Sequence, residues 1–169
     1  MDNSKTHQHA ISGKQTELMI QRIDHTNIYV AKAIYDIFQV SYAVEAELLN
    51  TTNFPPLQRQ THEFLTSLNS FYGYYINDVL VAVTEIKPHD SSTHIQSLVV
   101  HPEYFKQGIA QKLISFVFDS YNSKLFTVET GKDNFPACQL YQKVGFLKTK
   151  TWLTEHDIMK VRFEKLIKR

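Results

Sequence analysis

The sequence predicts one α/β domain, with a mixed, mostly antiparallel sheet and helices on both sides of it. Short apolar runs bounded by turn residues recur along the chain. Segments with apolar residues every three to four positions separate several of these runs, and glycines stand where two of the segments begin or end. With 169 residues the chain is long enough to bury a core. We divide it into a flexible tail over residues 1–16 and one domain over residues 17–169.

The charge balance and the cysteine count exclude several classes of protein. A formal net charge of +1 gives no support for nucleic acid or a membrane surface as the partner. The single cysteine, Cys138, rules out a disulfide framework within the chain, and we expect no metal site. No run approaches the ~20 apolar residues that span a bilayer, and the N-terminus lacks the apolar core of a signal peptide. We therefore expect a reducing, cytoplasmic setting.

The N-terminal half of the domain is predicted to hold a strand, helices and a hairpin. Pro55 and Pro56 must interrupt the helical region, because proline cannot continue a helix. The Asn77-Asp78 pair marks the hairpin turn but leaves its type open. The expected elements are a strand over 18–23, a helix capped by Asp24 or Thr26 with a break near Ser41, a short helix over 57–68, and strands over 71–76 and 79–86.

The C-terminal half is predicted to alternate strands and helices. Three consecutive apolar residues, Leu98, Val99 and Val100, are typical of a strand covered on both faces. The expected elements are a strand over 94–100, a helix that opens at Gly108, a strand over 125–129, a helix capped by Asp133 or Asn134 and ended by Gly145, and paired strands over 146–152 and 159–164.

The turn at residues 105–110 is the main candidate for ligand binding. The N-terminus of a helix offers unpaired N–H groups and a partial positive charge, which suit a pyrophosphate. Gly108 permits a close approach of the backbone to an anion, and Lys106 adds a positive charge. Taken alone, these residues are explained more simply by a tight turn between a strand and a helix.

In this order, the segments from His94 to Phe146 resemble the acetyl-CoA half of the GNAT family of N-acetyltransferases. The family pattern at the turn is Gln or Arg, two residues, Gly, one residue, then Gly or Ala. Gly108 and Ala110 match it, whereas Phe105 replaces the polar residue and Lys106 stands where a glycine is common. The most specific match is the later segment, in which six residues fit the family pattern: Asn134, Ala137, Leu140, Tyr141, Gly145 and Phe146.

The resemblance implies a GNAT-like fold and a set of cofactor-binding residues. In the family, the strand that holds Leu98, Val99 and Val100 bears a bulge and splays from its neighbour. Its backbone then pairs with the pantetheine arm and the acetyl carbonyl. Tyr141 would protonate the leaving thiolate. A phenol has an unperturbed pKa of ~10 and a thiol one of ~8.5, so the proton stays on Tyr141 until it is needed. The implied cofactor-binding residues are Leu98, Val99, Val100, Phe105, Lys106, Gln107, Gly108, Ile109, Ala110, Gln111, Asn134 and Tyr141.

The implied function is transfer of an acetyl group from acetyl-CoA to a primary amine, by direct attack in a ternary complex. The identity of the acceptor, a small-molecule or peptide amine, stays open, and so does the question whether the protein forms a homodimer. His94, Glu85 and Glu129 are the candidates for the general base, with a water chain as the alternative. Cys138 lacks a paired histidine nearby in the sequence, so we interpret it as a small buried residue. Residues 42–68 are expected to shape the acceptor site.

Two other functions compete with this interpretation. A GNAT-like domain that binds acyl-CoA as a sensor or partner module would need no base, and the departure at Phe105 favours it slightly. An unrelated nucleotide-binding α/β domain would need a longer glycine-rich loop than residues 105–110 provide.

Overall fold

The computed structural model describes residues 16–168, so the predicted tail lies outside the described residues except for residue 16. Within this described range, seven strands form one sheet in the order β1-β2-β3-β4-β5-β7-β6, and only the β4–β5 pair is parallel. This confirms the predicted mixed, mostly antiparallel sheet. The strands are β1 (Leu18–Arg22), β2 (Ser70–Ile76), β3 (Val79–Pro88), β4 (Ser92–Val100), β5 (Leu125–Gly131), β6 (Leu147–Leu153) and β7 (Met159–Leu166).

The long N-terminal helix, α1 (Ile28–Leu48), differs from its prediction at two points. Its cap is Asn27, whose side-chain oxygen accepts a hydrogen bond from the Tyr29 amide at 2.9 Å. Asp24 instead accepts from Thr26, which closes a separate turn before the helix. The helix also continues through Ser41 without a break, because its apolar stripe packs along its whole length.

Two short helices replace the single one predicted over 57–68. They are α2 (Pro55–Gln58) and α3 (Thr61–Leu65), and the extended residue Arg59 follows α2. The prolines begin α2, since proline suits the first turn of a helix, whereas α1 has already ended at Leu48. A capping box between Gln60 and Glu63 starts α3.

The hairpin between β2 and β3 turns at Asn77 and Asp78, as predicted. Both residues have positive φ, 48° and 66°, which is the requirement of a type I′ turn. Asn77 also accepts a hydrogen bond from the Glu17 amide at 3.0 Å through its side chain, so the turn is tied to the start of β1.

A 3-10 helix covers Pro102–Tyr104. The two further α-helices of the described residues are α4 (Ile109–Ser120) and α5 (Phe135–Lys143), and both begin as the sequence predicted. Gly108 is the residue before α4, in the left-handed conformation at φ 75°. The side chain of Asn134 caps α5. Distinct apolar clusters cover the sheet: α1 packs on Val83 and Val99, whereas α4 contributes Ile114 and Val117 to a cluster with Phe126 and Phe163.

The parallel strands β4 and β5 are in register over only four residue pairs, from Ser92 opposite Leu125 to Ile95 opposite Val128. Beyond Ile95, β4 pairs with β3 alone and β5 with β7 alone. A bulge lies at the same point, because Ser97 is opposite Glu85 and Ile95 is opposite Ile86, which leaves Gln96 as an extra residue. The sheet therefore opens between the C-terminal ends of two adjacent strands, as the family resemblance implies.

Candidate active site

A cavity of about 670 Å³ lies where β4 and β5 diverge. The two strands contribute its inner wall, α1 and the α2 region a second wall, and the loop between β6 and β7 part of the rim. The residues that bear on the chemistry are Tyr42, Glu45, Phe54, Ser97, Leu98, Glu129, Thr130, Asn134, Tyr141 and Lys160. The segment over 42–68 contributes several of the lining residues.

Tyr141 lines this cavity from α5, and its side chain is buried. Its ring packs against Phe146 and Phe163, with centroids 5.8 and 5.6 Å away. No group among residues 16–168 hydrogen-bonds to its hydroxyl. Burial raises the pKa of Tyr141 far above its usual value, and the nearby Glu45, Tyr42 and Cys138 raise it further. The phenol therefore keeps its proton at neutral pH and can donate it into the cavity.

Asn134 fixes the start of α5 and thereby the position of Tyr141. Its side-chain oxygen accepts a hydrogen bond from the Ala137 amide at 3.3 Å, and its amide nitrogen donates to the Thr130 hydroxyl at 3.2 Å. The residue is buried and lines the cavity. The structure thus gives Asn134 a positioning role in the fold alongside the cofactor contact that the resemblance implies.

The turn before α4 presents a run of free backbone donors. No acceptor among the described residues receives a hydrogen bond from the amides of residues 106–111; the first amide in the helix that is bonded is that of Lys112, to the Gly108 carbonyl at 3.1 Å. Lys106 and Gly108 both have positive φ, 60° and 75°. A Cβ added to Gly108 would meet no atom within 4 Å, so the backbone there faces open space. Six consecutive donors around an open turn suit a pyrophosphate.

The three predicted residues on β4 have different environments. Leu98 lines the cavity, whereas Val99 packs with Phe38 and Val83, and Val100 packs with Ile109 and Leu113. The side chains of Val99 and Val100 therefore belong to the core, and only their backbone groups are available to a ligand. Phe105, at the other end of the proposed CoA site, is 40% exposed and offers no polar side-chain contact.

Two of the three candidate bases do not line the cavity. Glu85 is 1% exposed and accepts hydrogen bonds from Arg59 at 2.7 and 3.0 Å, from Asn69 at 2.8 Å and from Ser97 at 3.1 Å. The hydrogen bonds of the Glu85 carboxylate thus hold α2, α3 and β4 together. His94 shares a hydrogen bond of 2.7 Å with the Thr127 hydroxyl where β4 and β5 still pair, and burial lowers its pKa.

Glu129 does line the cavity, but two cations compensate its charge. Lys160 lies 3.2 Å and Arg162 3.4 Å from its carboxylate oxygens. Both cations come from β7, the strand that pairs with β5 beside the opening. Of the three candidates, Glu129 alone lines the cavity, and His94 is near enough to interact with it electrostatically. Glu85 is held in its own ion pair with Arg59.

Glu45 on α1 is a lining residue that the sequence prediction missed. Its Oε1 atom accepts from the Thr130 hydroxyl at 3.2 Å and from the Gly131 amide at 3.5 Å. Burial raises the pKa of this carboxyl, opposed by the hydrogen bonds from Asn134, Gly131 and Thr130. The available signal was its position: Glu45 lies three residues after Tyr42 and one before Ala46, on the apolar stripe of α1.

Other features of the described residues bear on alternative chemistries. Burial raises the pKa of the Cys138 thiol, which disfavours the thiolate that a nucleophilic cysteine needs. No three histidine, cysteine, aspartate or glutamate side chains among residues 16–168 are grouped so that they could hold a metal ion. Over the same residues, no helix has the length and apolar character that crossing a membrane requires.

Comparison with known proteins identifies the family. The model of the Acetyltransferase (GNAT) family matches residues 31–146, and the chain therefore belongs to that family. UPF0157 protein YqkA of Bacillus subtilis is 31% identical over 134 residues, which are 79% of this chain and 39% of that protein. Streptothricin acetyltransferase of Escherichia coli is 25% identical over 136 residues, or 77% of this chain and 76% of that one.

Among solved structures, the fold is similar to yncA, a putative acetyltransferase from Salmonella typhimurium with its cofactor acetyl-CoA. The TM-score is 0.69 at 14% sequence identity, and the alignment covers 90% of this chain and 95% of the other. That likeness establishes the fold. This chain spans about two fifths of the length of its Bacillus relative, so the activity of the whole protein is a matter for proposal.

Proposed function

We infer that this protein is an N-acetyltransferase that moves an acetyl group from acetyl-CoA to a primary amine by direct attack in a ternary complex. The observation that carries the inference is the opening of the sheet after Ile95 and Val128, with Tyr141 among the residues that line the resulting cavity. Membership of the GNAT family supports the acetyl transfer, and the acetyl-CoA in the similar yncA structure supports the co-substrate.

The residues of this chain fit acetyl-CoA at both ends of the proposed site. The free amides of residues 106–111 would hold the pyrophosphate, with Lys106 beside them. The unpaired edge of β4 from residue 96 onward would align the pantetheine arm and offer an N–H to the acetyl oxygen. Tyr141 would then protonate the departing sulfur.

Direct attack is supported by the state of the one cysteine. Cys138 lies one helical turn from Tyr141, but the raised pKa of its thiol makes it a poor nucleophile. An acyl-enzyme on Cys138 would also need a base beside it, and no histidine among the described residues hydrogen-bonds to its sulfur. We therefore propose a mechanism in which both substrates are bound together.

The acceptor is proposed to enter between α1, the α2 region and the β6–β7 loop, which line the cavity. Acetyl-CoA incubated with a panel of monoamines, polyamines, amino-acid amides and peptide N-termini, with products detected by mass spectrometry, tests the function. Formation of an N-acetyl product is expected with at least one of these classes. Acetyl-CoA binding without any product across the panel would contradict transfer.

The alternative is a module that binds acyl-CoA without turnover, and the apolar, exposed Phe105 at the phosphate end favours it. The same panel separates the two functions. Binding of CoA by calorimetry, with no loss of acetyl-CoA beyond the rate in buffer, is the result that the binding module predicts.

A further inference from the structure

Glu45 occupies an unusual position for a carboxylate, because it lies on the apolar stripe of α1 and lines the cavity. Its Oε1 atom receives the hydrogen bonds of Thr130 and Gly131, both at the end of β5 where the sheet has opened. The second oxygen, Oε2, receives neither of these bonds. The Asn134 side chain is a further donor to this carboxylate. The carboxylate is thus anchored by neutral donors.

The other acids that line the cavity are in a different electrostatic state. Glu129 is paired with Lys160 and Arg162. Glu63 is exposed, and its carboxylate closes the capping box on the Gln60 amide at 2.6 Å. Glu45 is partly buried, and no cation among residues 16–168 lies within ion-pair distance of it. Lys160 lowers the pKa of Glu45 electrostatically, but its ion pair is with Glu129. A carboxylate that has no ion-pair partner of its own in a partly buried site is stabilised by a cationic ligand.

The surroundings of Glu45 also suit a cation. Tyr42, one turn earlier on α1, lines the same cavity and packs edge-to-face on Phe54, with centroids 5.7 Å apart. Aromatic rings attract an ammonium group as well as the apolar carbon chain that carries it. Tyr141, the proposed acid, is close enough to Glu45 to interact with it electrostatically. A group held at Glu45 would therefore lie near the place where the thioester must react.

We propose that Glu45 binds the ammonium group of the acceptor and removes its proton, so that the substrate class is primary amines that arrive as cations. The proposal rests on the function proposed above and adds to it the residue that selects and activates the acceptor. The sequence candidates for the base, His94, Glu85 and Glu129, are then positioning or ion-pairing residues.

The proton and electron balance of the step is complete. The Glu45 carboxylate takes one proton from the ammonium, which frees the nitrogen lone pair to form the C–N bond with the acetyl carbon. The C–S bond breaks, its electron pair stays on sulfur, and sulfur takes the proton of the Tyr141 hydroxyl. The second N–H proton restores Tyr141, and the proton on Glu45 leaves to water, so that one proton is released for each acetyl group transferred.

The charged and titratable groups around Glu45 come from every element packed against it. They are Tyr42 on α1 itself, Tyr141 and Cys138 on α5, and Lys160 on β7, with the neutral donors Thr130, Gly131 and Asn134 on β5 and at the start of α5. Burial raises the pKa of Glu45, which brings its basicity closer to that needed near neutral pH. Tyr42 and Tyr141 have raised pKa values, so neither phenol competes as a base there.

Two variants on α1 form a matched test. Glu45→Gln keeps the shape of the side chain and an oxygen for Thr130 and Gly131, but it lacks the charge and the basicity. Glu47→Gln makes the same change on an exposed residue two positions further along the same helix. Glu45→Gln is expected to fold, because it removes a carboxylate whose burial disfavours its charge. A thermal melt of both variants checks this.

The binding experiment uses phenethylamine and its neutral analogue phenethyl alcohol, titrated by calorimetry into the full chain saturated with CoA. The aromatic wall suits the ring of both probes, and only the amine carries the charge. Phenethylamine is expected to bind at least tenfold more weakly to Glu45→Gln than to the wild type or Glu47→Gln, with no difference for the alcohol. Equal amine affinity in all three proteins, or no amine binding to the wild type, would overturn the proposal.

The kinetic experiment follows acetyl transfer to phenethylamine from pH 5.5 to 9. In the wild type and Glu47→Gln, kcat/KM should rise with pH through the ionisation of Glu45, and this limb should be absent from Glu45→Gln. The value of kcat should fall by ~100-fold or more in Glu45→Gln, while KM for acetyl-CoA stays the same. An unchanged limb and rate in Glu45→Gln would overturn the proposal. A different outcome is that phenethylamine binds more weakly to Glu45→Gln but the wild type does not acetylate it. That outcome would contradict the proposed function and not the binding role of Glu45.

Discussion

Ile95 of β4 lies opposite Val128 of β5 in the last pair of residues at which these two parallel strands are in register. Ser97 and Leu98 on one strand, and Glu129 and Thr130 on the other, follow this pair and line the cavity. The proposed chemistry thus begins one residue beyond the point where the two strands separate.

The hydroxyl of Tyr141 is expected to be needed for turnover. Tyr141→Phe keeps the ring that packs against Phe146 and Phe163 and removes only the oxygen, which no described residue engages. Loss of acid catalysis should lower kcat by ~100-fold or more, with little change in acetyl-CoA affinity. Steady-state kinetics and a CoA titration on the same preparation measure both effects. Wild-type turnover, with chemistry rate-limiting, would mean that Tyr141 is only a core residue.

Substitution of Gly108 is expected to weaken CoA binding. At φ 75° a valine would be strained, and its side chain would occupy the open space beside this turn. Calorimetry should give a Kd for CoA at least tenfold higher in Gly108→Val, which corresponds to ~1.4 kcal/mol.

Gly145→Val is the matched control for that variant, because it introduces the same side chain at φ 94° away from the start of α4. It should lower the melting temperature and leave CoA affinity unchanged. If both variants bind CoA as the wild type does, the pyrophosphate lies elsewhere.

The protonation of His94 is expected to affect the stability of the fold rather than the rate of acetyl transfer. Its pKa is lowered in the folded protein, chiefly by burial, so below ~6.5 the unfolded chain binds a proton more readily than the folded one. Stability should therefore fall as the pH drops through this range, and His94→Gln should lose part of that sensitivity. Melting temperatures at pH 7.5 and 5.5 measure it, with the exposed His62→Gln as the control.

The same His94→Gln variant is expected to keep the pH dependence of acetyl transfer, because His94 does not line the cavity. A lost limb in its rate profile would return His94 to the role of general base and count against Glu45.

The ion pair between Arg59 and Glu85 is expected to hold the α2–α3 region on the sheet. Their side chains are 22% and 1% exposed, and Arg59 also lies over the Phe64 ring at 4.0 Å. Arg59→Met should lower the free energy of unfolding by about 3–5 kcal/mol, because Glu85 would be left charged and buried. Denaturant titration at pH 7 checks this.

Two further variants distinguish the loss of the buried ion pair from the effect of removing any positive charge. Adding Glu85→Gln to Arg59→Met should recover part of the loss, since the uncompensated charge is gone. Lys32→Met breaks the exposed pair with Asp36, whose side chains are 66% and 59% exposed, and should have little effect. A loss from Arg59→Met no larger than that from Lys32→Met would show that the buried pair does not anchor this region.

Local sequence signals were sufficient for the turn before α4 and for the start of α5. Gly108 and Asn134 act within a few residues of their own position, one through its φ angle and the other through a hydrogen bond to an amide three residues later. The apolar runs placed the strands for the same reason, since burial on both faces appears directly in the composition. The predicted cap of α1 was wrong because three neighbouring residues are all good capping residues, namely Asp24, Thr26 and Asn27.

The position of Glu45 on the apolar stripe of α1 was a sequence signal, but it gave no partner for the carboxylate. That partner is Thr130, 85 residues away, which only the tertiary fold brings into contact. Glu85 was misjudged for a related reason: Arg59, 26 residues earlier, neutralises it only after α2 and α3 have packed on the sheet. Charge compensation between distant segments is decided by the tertiary fold, so the sequence left the general base open.

The short parallel contact between β4 and β5 has a thermodynamic consequence for the whole domain. Four residue pairs are the sheet's link between the half that holds β1 to β4 and the half that holds β5 to β7. A molecule lodged beyond Ile95 would touch both halves at once, and it would have no comparable site on the unfolded chain. By mass action its occupancy adds to the free energy of unfolding in proportion to the logarithm of its concentration, so the resistance of this domain to heat and proteolysis would follow the supply of its own substrate.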